Sequence, residues 1–600
     1  MCAIIGLLGA IPEKTSIIKA RDTMEHRGPD DAGLYYEPEN NIALGHRRLS
    51  IIDLSKKSAQ PFVSADGRFV ITYNGELYNY KEIKKELSKD FSFTTESDTE
   101  VLLNAYIKWG AKCLDKFNGM FAFAIWDKET EELFLVRDRF GIKPLFYFQN
   151  TDTFYFASEV KGILSFGIPK KLNKRALIDY LSYRYPLGGE TFFEGIYALL
   201  PGHSMVLKKG QKPVVAPYWK LSTERKIDPG KKEALAVAKK LLETAVRYRM
   251  ISDVSVGAYL SGGLDSSVIV GLMSKFSDKQ IKTFSAGFRE DEFNELPYAR
   301  EVSKIFNTDH HEIVFEREGY FDALRDVVAQ KDAPLLSPNE VPWSLLSKKL
   351  KEDITVVLSG GGADELFAGY GRIFRDAENY QKSHKTLKEH FFANYPYIPN
   401  ELTKRLVKKE FYSDEVSNKY FDIFNELKHL EPSDQYLYIF QNMHLLGTLS
   451  HLDNVTMSYS VEGRVPFVDH RLVEYVSSLP LDYKMRWKSD DAKEKAKNLP
   501  VNEVSGILDT PKYLLKEIAK EMLPPELIER KKMGFPVPLD RWLRGESKTL
   551  AEKLLLAEDS RTKEIFNEEE VRGVCDGDSG LHIWMLINIE IFMRQHDMTV

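Results

Sequence analysis

The sequence predicts two folds in one chain. The first third reads as two packed antiparallel sheets with helices outside, and the remainder as a parallel, doubly wound α/β sheet. Three observations carry that reading. As far as about residue 205, short runs rich in β-branched and aromatic residues are broken by turns. Beyond residue 231, apolar strands alternate with helical stretches. In that second part a Gly-rich turn, Ser261-Gly262-Gly263-Leu264-Asp265-Ser266-Ser267, joins the strand Val254 to Leu260 to a helical apolar run. A length of 600 residues also calls for several domains, since single cores stop growing beyond about 250–300 residues.

In the first third, ALGHRRLSII, FVITYNGELY, MFAFAIWD, ELFLVRDRF, PLFYFQ and TFYFASE read as strands. Helices are expected over roughly 15–25 and over 98–109, where the apolar residues fall at helical spacing. Asp98 opens the second of these, where a carboxylate is also a natural N-cap. Residues 208–230 mix glycine, proline and charge without helical period, and mark a linker between a domain over 2–207 and one over 231–600. A helix over 231–250 follows, with Leu235, Ala238, Leu242, Ala245 and Val246 on one face. Strands at 281–287, 310–315 and 354–358 then alternate with helices such as 295–306 and 319–330. From 371 onward the pattern is helical with polar connections.

Composition narrows the class. An apolar content of 43% and a charged content of 29% describe an ordinary globular chain. The net charge of −6 gives no support for nucleic acid as the main partner. Cys2, Cys113 and Cys575 are too few and too scattered for a disulfide framework or a zinc site, which fits a reducing compartment. The apolar N-terminus lacks a basic leader and soon meets Glu13 and Lys14, so no signal peptide is expected. No apolar run reaches the roughly 20 residues that cross a bilayer. A cytoplasmic protein is the expectation.

The turn at 261–267 has its own chemistry. Backbone amides aimed from the start of a helix cradle an anion, and Gly262 and Gly263 let the backbone come close to it. The hydroxyls of Ser261, Ser266 and Ser267 add donors, and Asp265 can hold a Mg²⁺ that bridges phosphates. No G-K-[ST] follows, so this is not a Walker A loop. A glycine pair alone would read as an ordinary strand-to-helix turn, but the full seven-residue pattern in that setting is far more specific. A second such turn, Ser359-Gly360-Gly361-Gly362-Ala363-Asp364-Glu365, follows the strand at 354–358. Its Asp364 is either a second carboxylate for Mg²⁺ or an acidic helix start favouring the dipole. The first turn resembles the PP-loop of ATP pyrophosphatases, which implies that ATP is cleaved to AMP and pyrophosphate while a carboxylate is activated.

Removal of Met1 leaves Cys2 first, with thiol and α-amine on one residue. With a pKa near about 7.7–8.0, the amine suits the role of base for its own nucleophile. A buried structural cysteine is the commoner case. Three further segments bear on the choice: His26-Arg27-Gly28-Pro29-Asp30, Arg48-Leu49-Ser50-Ile51-Ile52, and Tyr73-Asn74-Gly75-Glu76-Leu77-Tyr78-Asn79. Together they resemble the glutaminase domain of class II, N-terminal-nucleophile (Ntn) amidotransferases, across the whole first third. The resemblance implies an αββα sandwich in which Cys2 attacks the glutamine side-chain amide and forms a thioester. Asn74 and the Gly75 amide would form the oxyanion hole. Arg48, on the 48–52 segment, would pair with the glutamine α-carboxylate, and Glu76 and Asp98 with its α-ammonium. One departure is Ala3, where the family usually has glycine.

A glutaminase domain followed by a PP-loop domain is similar to the glutamine-hydrolysing asparagine synthetase family over nearly the full chain. That likeness implies the adenine nucleotide alpha hydrolase-like fold. It also implies contacts to ATP from Leu260, Ala286 and the Ser359-Gly360 backbone, with Lys532 stabilising charge on the phosphates or the acyl-AMP. Read alone, Lys532 belongs to a solvated basic cluster with Arg530 and Lys531. The expected reaction converts ATP, L-aspartate, L-glutamine and water to AMP, diphosphate, L-asparagine and L-glutamate. It would run through β-aspartyl-AMP and channelled ammonia, in a homodimer. Many members carry an acidic residue at the position of Gly361. The glycine here means either that another carboxylate does its work or that the acceptor differs, for instance a sugar uronate. A glutamine- or ATP-binding relative without catalysis is the expectation from a different class. β-Lactam synthetases share the second half but need no ammonia, which an intact Cys2 site argues against.

Overall fold

The computed structural model describes all residues except Met1, 210, 225, 291, 293, 414–420, 535 and 544–545, and the side chains of 546–548 and 550. The strands of the first part are β1 (Ala3–Gly9), β2 (Asp31–Glu37), β3 (Ile42–Arg48), β4 (Phe62–Val63), β5 (Phe69–Leu77) and β6 (Gly119–Asp127). They continue with β7 (Glu132–Arg137), β8 (Phe146–Gln149), β9 (Thr153–Ala157), β10 (Tyr197–Ala198), β11 (His203–Lys208) and β12 (Val214–Pro217). They form two six-stranded antiparallel sheets, ordered β10-β8-β9-β1-β3-β2 and β12-β11-β7-β6-β5-β4.

Alternation along the strands separates the layers. Ile4 and Leu8 of β1 pack between the sheets with Val70, Ala122, Ala124 and Trp126. Ala3 and Ile5 face outward onto Ala20 of the helix Lys14–Asp22 and onto Met24. On the far side Ile71, Tyr73, Phe121 and Phe123 pack against the helices Tyr80–Leu87 and Asp98–Trp109. The result is the αββα sandwich, with each large apolar side chain so buried contributing roughly 1.5–3 kcal/mol. The expected strands are present. β2, β4, β10, β11, β12 and the helices Tyr80–Leu87, Val160–Leu164 and Lys174–Tyr183 are additions, and β12 lies within the 208–230 segment, at the edge of the second sheet.

The helix Lys231–Arg249 opens the second part. Five strands follow in one parallel sheet: β13 (Val256–Tyr259), β14 (Lys282–Phe288), β15 (Asp309–Phe315), β16 (Val356–Leu358) and β17 (Glu462–Arg464). Their order is β15-β14-β13-β16-β17. From β13 the chain winds outward through β14 to β15, then returns to the other side for β16 and β17. The switch between β13 and β16 opens a crevice at their carboxyl ends, where ligands of doubly wound sheets bind. Both Gly-rich turns leave from these two strands. A two-stranded ribbon, β18 (Met485–Trp487) with β19 (Asp509–Pro511), sends Lys512 toward the same crevice.

Candidate active sites

The first site gathers at the start of β1 and the ends of β3 and β5. Cys2 is buried, with Sγ 4.0 Å from the carbonyl of Leu49 and its amide donating to Asn74 Oδ1 at 3.2 Å. Burial pushes the Cys2 thiol up, against the pull of the Leu49 contact and of the Arg48 charge. Asn74 is wholly buried, and its amide nitrogen has no hydrogen-bond partner among the described residues. An unsatisfied buried donor costs about 1–3 kcal/mol, so one beside a thiol suits an oxyanion that forms only during reaction. Gly75 is required by space, because a Cβ there would stand 2.2 Å from the carbonyl oxygen of Met120 on β6.

Arg48 is buried and forms no ion pair among the described residues. Its guanidinium donates to the carbonyls of Ser55 (3.0 Å) and Asp53 (2.5 Å) and to Ser58 Oγ (2.5 Å), which orient a free positive charge. Leu49, Ile51 and Ile52 are buried beside it, and the Ser50 amide donates to Asp30 Oδ2 at 2.8 Å. Asp98 is not the N-cap of its helix. Ser97 caps by accepting from the Thr99 amide, which leaves the Asp98 carboxylate to accept from Tyr73 Oη and the Leu77 amide, each at 2.9 Å. Burial raises Asp98 to about 6 despite those donors. Burial, then the charge of Glu462, raises Glu76 well above the usual carboxylate range.

Sequence reasoning missed how this site meets the second domain. Arg27 Nε donates to the Cys2 carbonyl at 3.2 Å, and its two terminal nitrogens to Glu159 (3.0 Å) and Asp453 (2.8 Å). Lys143 reaches Asp453 from the same side at 3.2 Å. Arg464 of β17 lies 3.5 Å from Glu76. The signal was present only in part, as the segments around 26–30 and 454–471.

The second site is built on the β13 and β16 turns. Gly262 has φ +69°, and a Cβ on it would stand 2.5 Å from the amide nitrogen of Ala299. The helix Leu264–Phe276 has no side-chain cap, so the amides of its first turn face the crevice uncovered. Ser266 and Ser267 donate to the Gly263 carbonyl at 3.2 and 2.7 Å, and Ser266 Oγ accepts from the Ser261 amide at 3.2 Å. These hydroxyls hold the turn's shape. The second turn packs directly on the first, with the Cβ position of Gly360 3.0 Å from Asp265 Cβ and 3.1 Å from the Ser266 amide. Leu260 continues β13 beside β14, donating to the Phe284 carbonyl at 2.9 Å, and half-buried Ala286 lies two residues along that neighbour.

Asp265 and Asp364 converge as expected, but on a lysine. Lys512 Nζ lies 2.7 and 2.6 Å from the two Asp265 oxygens and 2.7 Å from Asp364 Oδ1, while Lys532 Nζ lies 2.7 Å from that same Asp364 oxygen. Burial works against ionisation of Asp364, yet its two lysines hold it well below the usual range. Asp265, with one lysine and the Asp364 charge nearby, is raised by burial. Lys512 was not singled out from sequence, and it stands at φ +56°, where the turn out of β19 aims it inward. Among the described residues no group of three acidic, histidine or cysteine side chains forms a metal cage. The two hard carboxylates meeting at one cationic point nevertheless match what Mg²⁺ needs when phosphates supply its other ligands. Arg530, also missed, braces the first turn by donating to the Gly262 carbonyl at 3.1 Å and to Glu295 at 2.8 Å.

At the acceptor end, Gly361 is a glycine of choice. Its φ is not positive, and a Cβ would meet only Ser359 Oγ and Val465 Cγ1, both at 3.6 Å. The next carboxylate along the turn is Glu365, raised to about 7 by burial and by Asp364, and accepting from Tyr370 Oη at 2.9 Å. Lys532 lies 4.8 Å above the Tyr370 ring, which ties that aromatic side chain to the crevice.

Comparison with known proteins agrees with both halves. Residues 1–219 match the glutamine amidotransferase domain family and residues 238–594 the asparagine synthase family. A protein named asparagine synthetase [glutamine-hydrolyzing] 1 from Bacillus subtilis is 30% identical, over 100% of this chain and 97% of its own. Asparagine synthetase [glutamine-hydrolyzing] 3 of the same organism is 31% identical over 89% and 87%. Amidase chry2 of Gibberella zeae is 29% identical over 87% and 85%. With a thiol site in an αββα sandwich and paired Gly-rich turns on a parallel sheet, the chain belongs to the asparagine synthase family.

Proposed function

We propose that the chain is a glutamine-hydrolysing asparagine synthetase with Cys2 and the 261–267 turn as its two reaction centres. The observation that carries the reading is the place of β17, whose Arg464 side chain approaches Glu76 while its carbonyl accepts from the Ser359 amide at 2.9 Å. One residue, Arg464, thus touches both sites. At the first, the Cys2 thiol attacks the glutamine side-chain amide and Asn74 Nδ2 donates to the oxyanion. Ammonia leaves, and water releases glutamate from the thioester. Arg48 receives the substrate α-carboxylate bidentately, and Glu76 and Asp98 receive its α-ammonium.

At the second, the amides of the 261–267 turn and of Ser359-Gly360 receive the ATP phosphates, and Leu260 and Ala286 flank the adenine. The acceptor carboxylate attacks the α-phosphorus, pyrophosphate leaves, and ammonia then displaces AMP from the acyl carbon. Lys512 and Lys532, released from Asp265 and Asp364 as phosphates arrive, neutralise the departing pyrophosphate. The two aspartates would then hold Mg²⁺, which supplies charge neutralisation between phosphate oxygens. With Gly361 unable to take a proton, Glu365 is the carboxylate poised to do so near neutral pH.

A second reading keeps both half-reactions and changes the acceptor to another carboxylate, such as a sugar uronate, because Gly361 carries no acidic side chain at the position where many members of the family do. Purified protein supplied with ATP, Mg²⁺, glutamine and one candidate acid at a time decides between them. Aspartate should stimulate pyrophosphate release and yield a product of asparagine's mass; silence with aspartate and response to another acid would overturn the first reading.

A further inference from the structure

The acceptor end of the second site is framed by a break in helix geometry. Helix Pro432–Ile439 passes into one π-helical turn, Phe440–His444, before helix Leu445–Met457 continues. Such single π turns shift side chains off the ordinary helical register and are frequent at functional sites. Here the turn ends on His444, half-buried, and both of its ring nitrogens meet phenols. Nε2 stands 3.2 Å from Tyr370 Oη, and Nδ1 3.3 Å from Tyr395 Oη. Phe440, which opens the turn, packs on the same two tyrosines, with ring centroids 5.6 and 5.2 Å away.

Proton counting gives these contacts a direction. Burial, then the charge of Arg184, lowers His444 to about 3, so its imidazole is neutral and has one N–H to give. Tyr370 donates its only proton to Glu365 Oε1 at 2.9 Å, so its oxygen accepts from His444. That puts the imidazole proton on Nε2 and leaves Nδ1 to accept from Tyr395. The charges that act on His444 are those of Arg184, Asp364 and Lys532, and among the described residues none of these groups hydrogen-bonds it. Glu365 Oε1 is 3.8 Å from Nε2, beyond hydrogen-bond reach, so it is held through Tyr370.

The far end of this chain of hydrogen bonds rests on the first domain. The Tyr397 and Ile398 amides donate to the Ser182 and Leu181 carbonyls of helix Lys174–Tyr183 at 2.9 and 3.1 Å. Tyr395 stacks against Tyr183, and Arg184 donates to Tyr397 Oη at 2.6 Å with its guanidinium 3.7 Å over that ring. We propose that His444 is a positioning residue for the acceptor step: its Nε2–H fixes Tyr370, and through it Glu365, while Nδ1 ties the pair to Tyr395 on a segment that the first domain holds. The proposal rests on the reading of Glu365 at the acceptor end of the second site.

The full-length protein tests this with ATP, Mg²⁺, ammonium chloride and L-aspartate, or D-glucuronate where the wild type is silent with aspartate. Pyrophosphate release is followed in His444→Leu, His444→Gln, His444→Asn and Tyr370→Phe. His444→Leu keeps most of the bulk but donates nothing. It should lower kcat about tenfold, the order of one hydrogen bond, with KM for ATP and for the acceptor within about threefold. A Gln side chain carries its amide nitrogen near the place of Nε2, and an Asn side chain near that of Nδ1. His444→Gln should therefore come within about threefold of the wild type, whereas His444→Asn should match His444→Leu. Adding Tyr370→Phe to His444→Leu should cost less than about twofold more, because both cut one chain. Glutamine hydrolysis should be unchanged throughout. Equal loss in His444→Gln and His444→Leu would reduce the residue to packing and overturn the proposal. Additive losses, an unchanged kcat in His444→Leu, or parallel loss of glutamine hydrolysis would overturn it too. Wild-type release with neither acid would instead overturn the acceptor reading beneath it.

Discussion

The two sites stand at opposite states of readiness. At the first, the donors and charges that glutamine would meet are already in place and unspent: the Asn74 amide has no partner, Arg48 has no ion pair among the described residues, and Asp98 is held at about 6 in a dry pocket. At the second, the charged groups are spent on one another, since Lys512 and Lys532 neutralise Asp265 and Asp364. A neutral substrate with a fixed shape can be met by a rigid site. A tetra-anionic nucleotide with its cation can be met by charges that exchange partners, with the protein's lysines moving from carboxylate to phosphate. The first pattern gives selectivity by preorganisation, and the second couples binding to rearrangement.

That contrast can be broken in steps of decreasing size. Asp265→Asn should remove pyrophosphate release by roughly 10³-fold or more, because Lys512 loses its bidentate partner and the cation its ligand. Thioester formation at Cys2 should survive in that variant, as mass spectrometry of quenched enzyme would show, and its loss would contradict separate sites. Asn74→Ala should lower kcat for glutamine hydrolysis by about 10²–10³-fold, the worth of one oxyanion donor, while ammonia-dependent synthesis persists.

A pH titration of KM for glutamine sharpens the comparison further. Asp98 is raised by burial, so it is ionised above about 6 and protonated below. KM should therefore rise as pH falls through about 6. A KM independent of pH over that range would show that the carboxylates do not meet the ammonium. Smallest of all, Gly361→Ala should change ammonia-dependent synthesis by no more than about threefold, since the added methyl meets only contacts at 3.6 Å. A large loss there would place the acceptor closer to Gly361 than those neighbours allow.

Both Gly-rich turns, the sandwich and most of the sheet were legible in the sequence because each announces itself locally, by alternation or by glycines that no other residue can replace. β17 was not, because a strand of three residues, Glu462-Gly463-Arg464, carries two charges and no apolar period. Its charges are tolerated only because they are buried against each other and against Glu76 across the domain boundary. Lys512 was hidden for a related reason. A lone lysine at a helix start reads as solvated until the ribbon before it fixes the direction of its side chain. Asp98 opens its helix as expected but does not cap it, because Ser97 in front of it takes the cap and frees the carboxylate for Tyr73 and Leu77. What the sequence withheld is what depends on residues far apart in the chain.

Cys2→Ala tests most directly the claim that ammonia is made at one site and used at the other. With glutamine as nitrogen source, amide synthesis by this variant should fall below detection. With ammonium chloride in its place, the rate should match that of the wild type. Equal loss with both nitrogen sources would contradict the division between the two sites, and retained synthesis from glutamine would contradict Cys2 as the nucleophile.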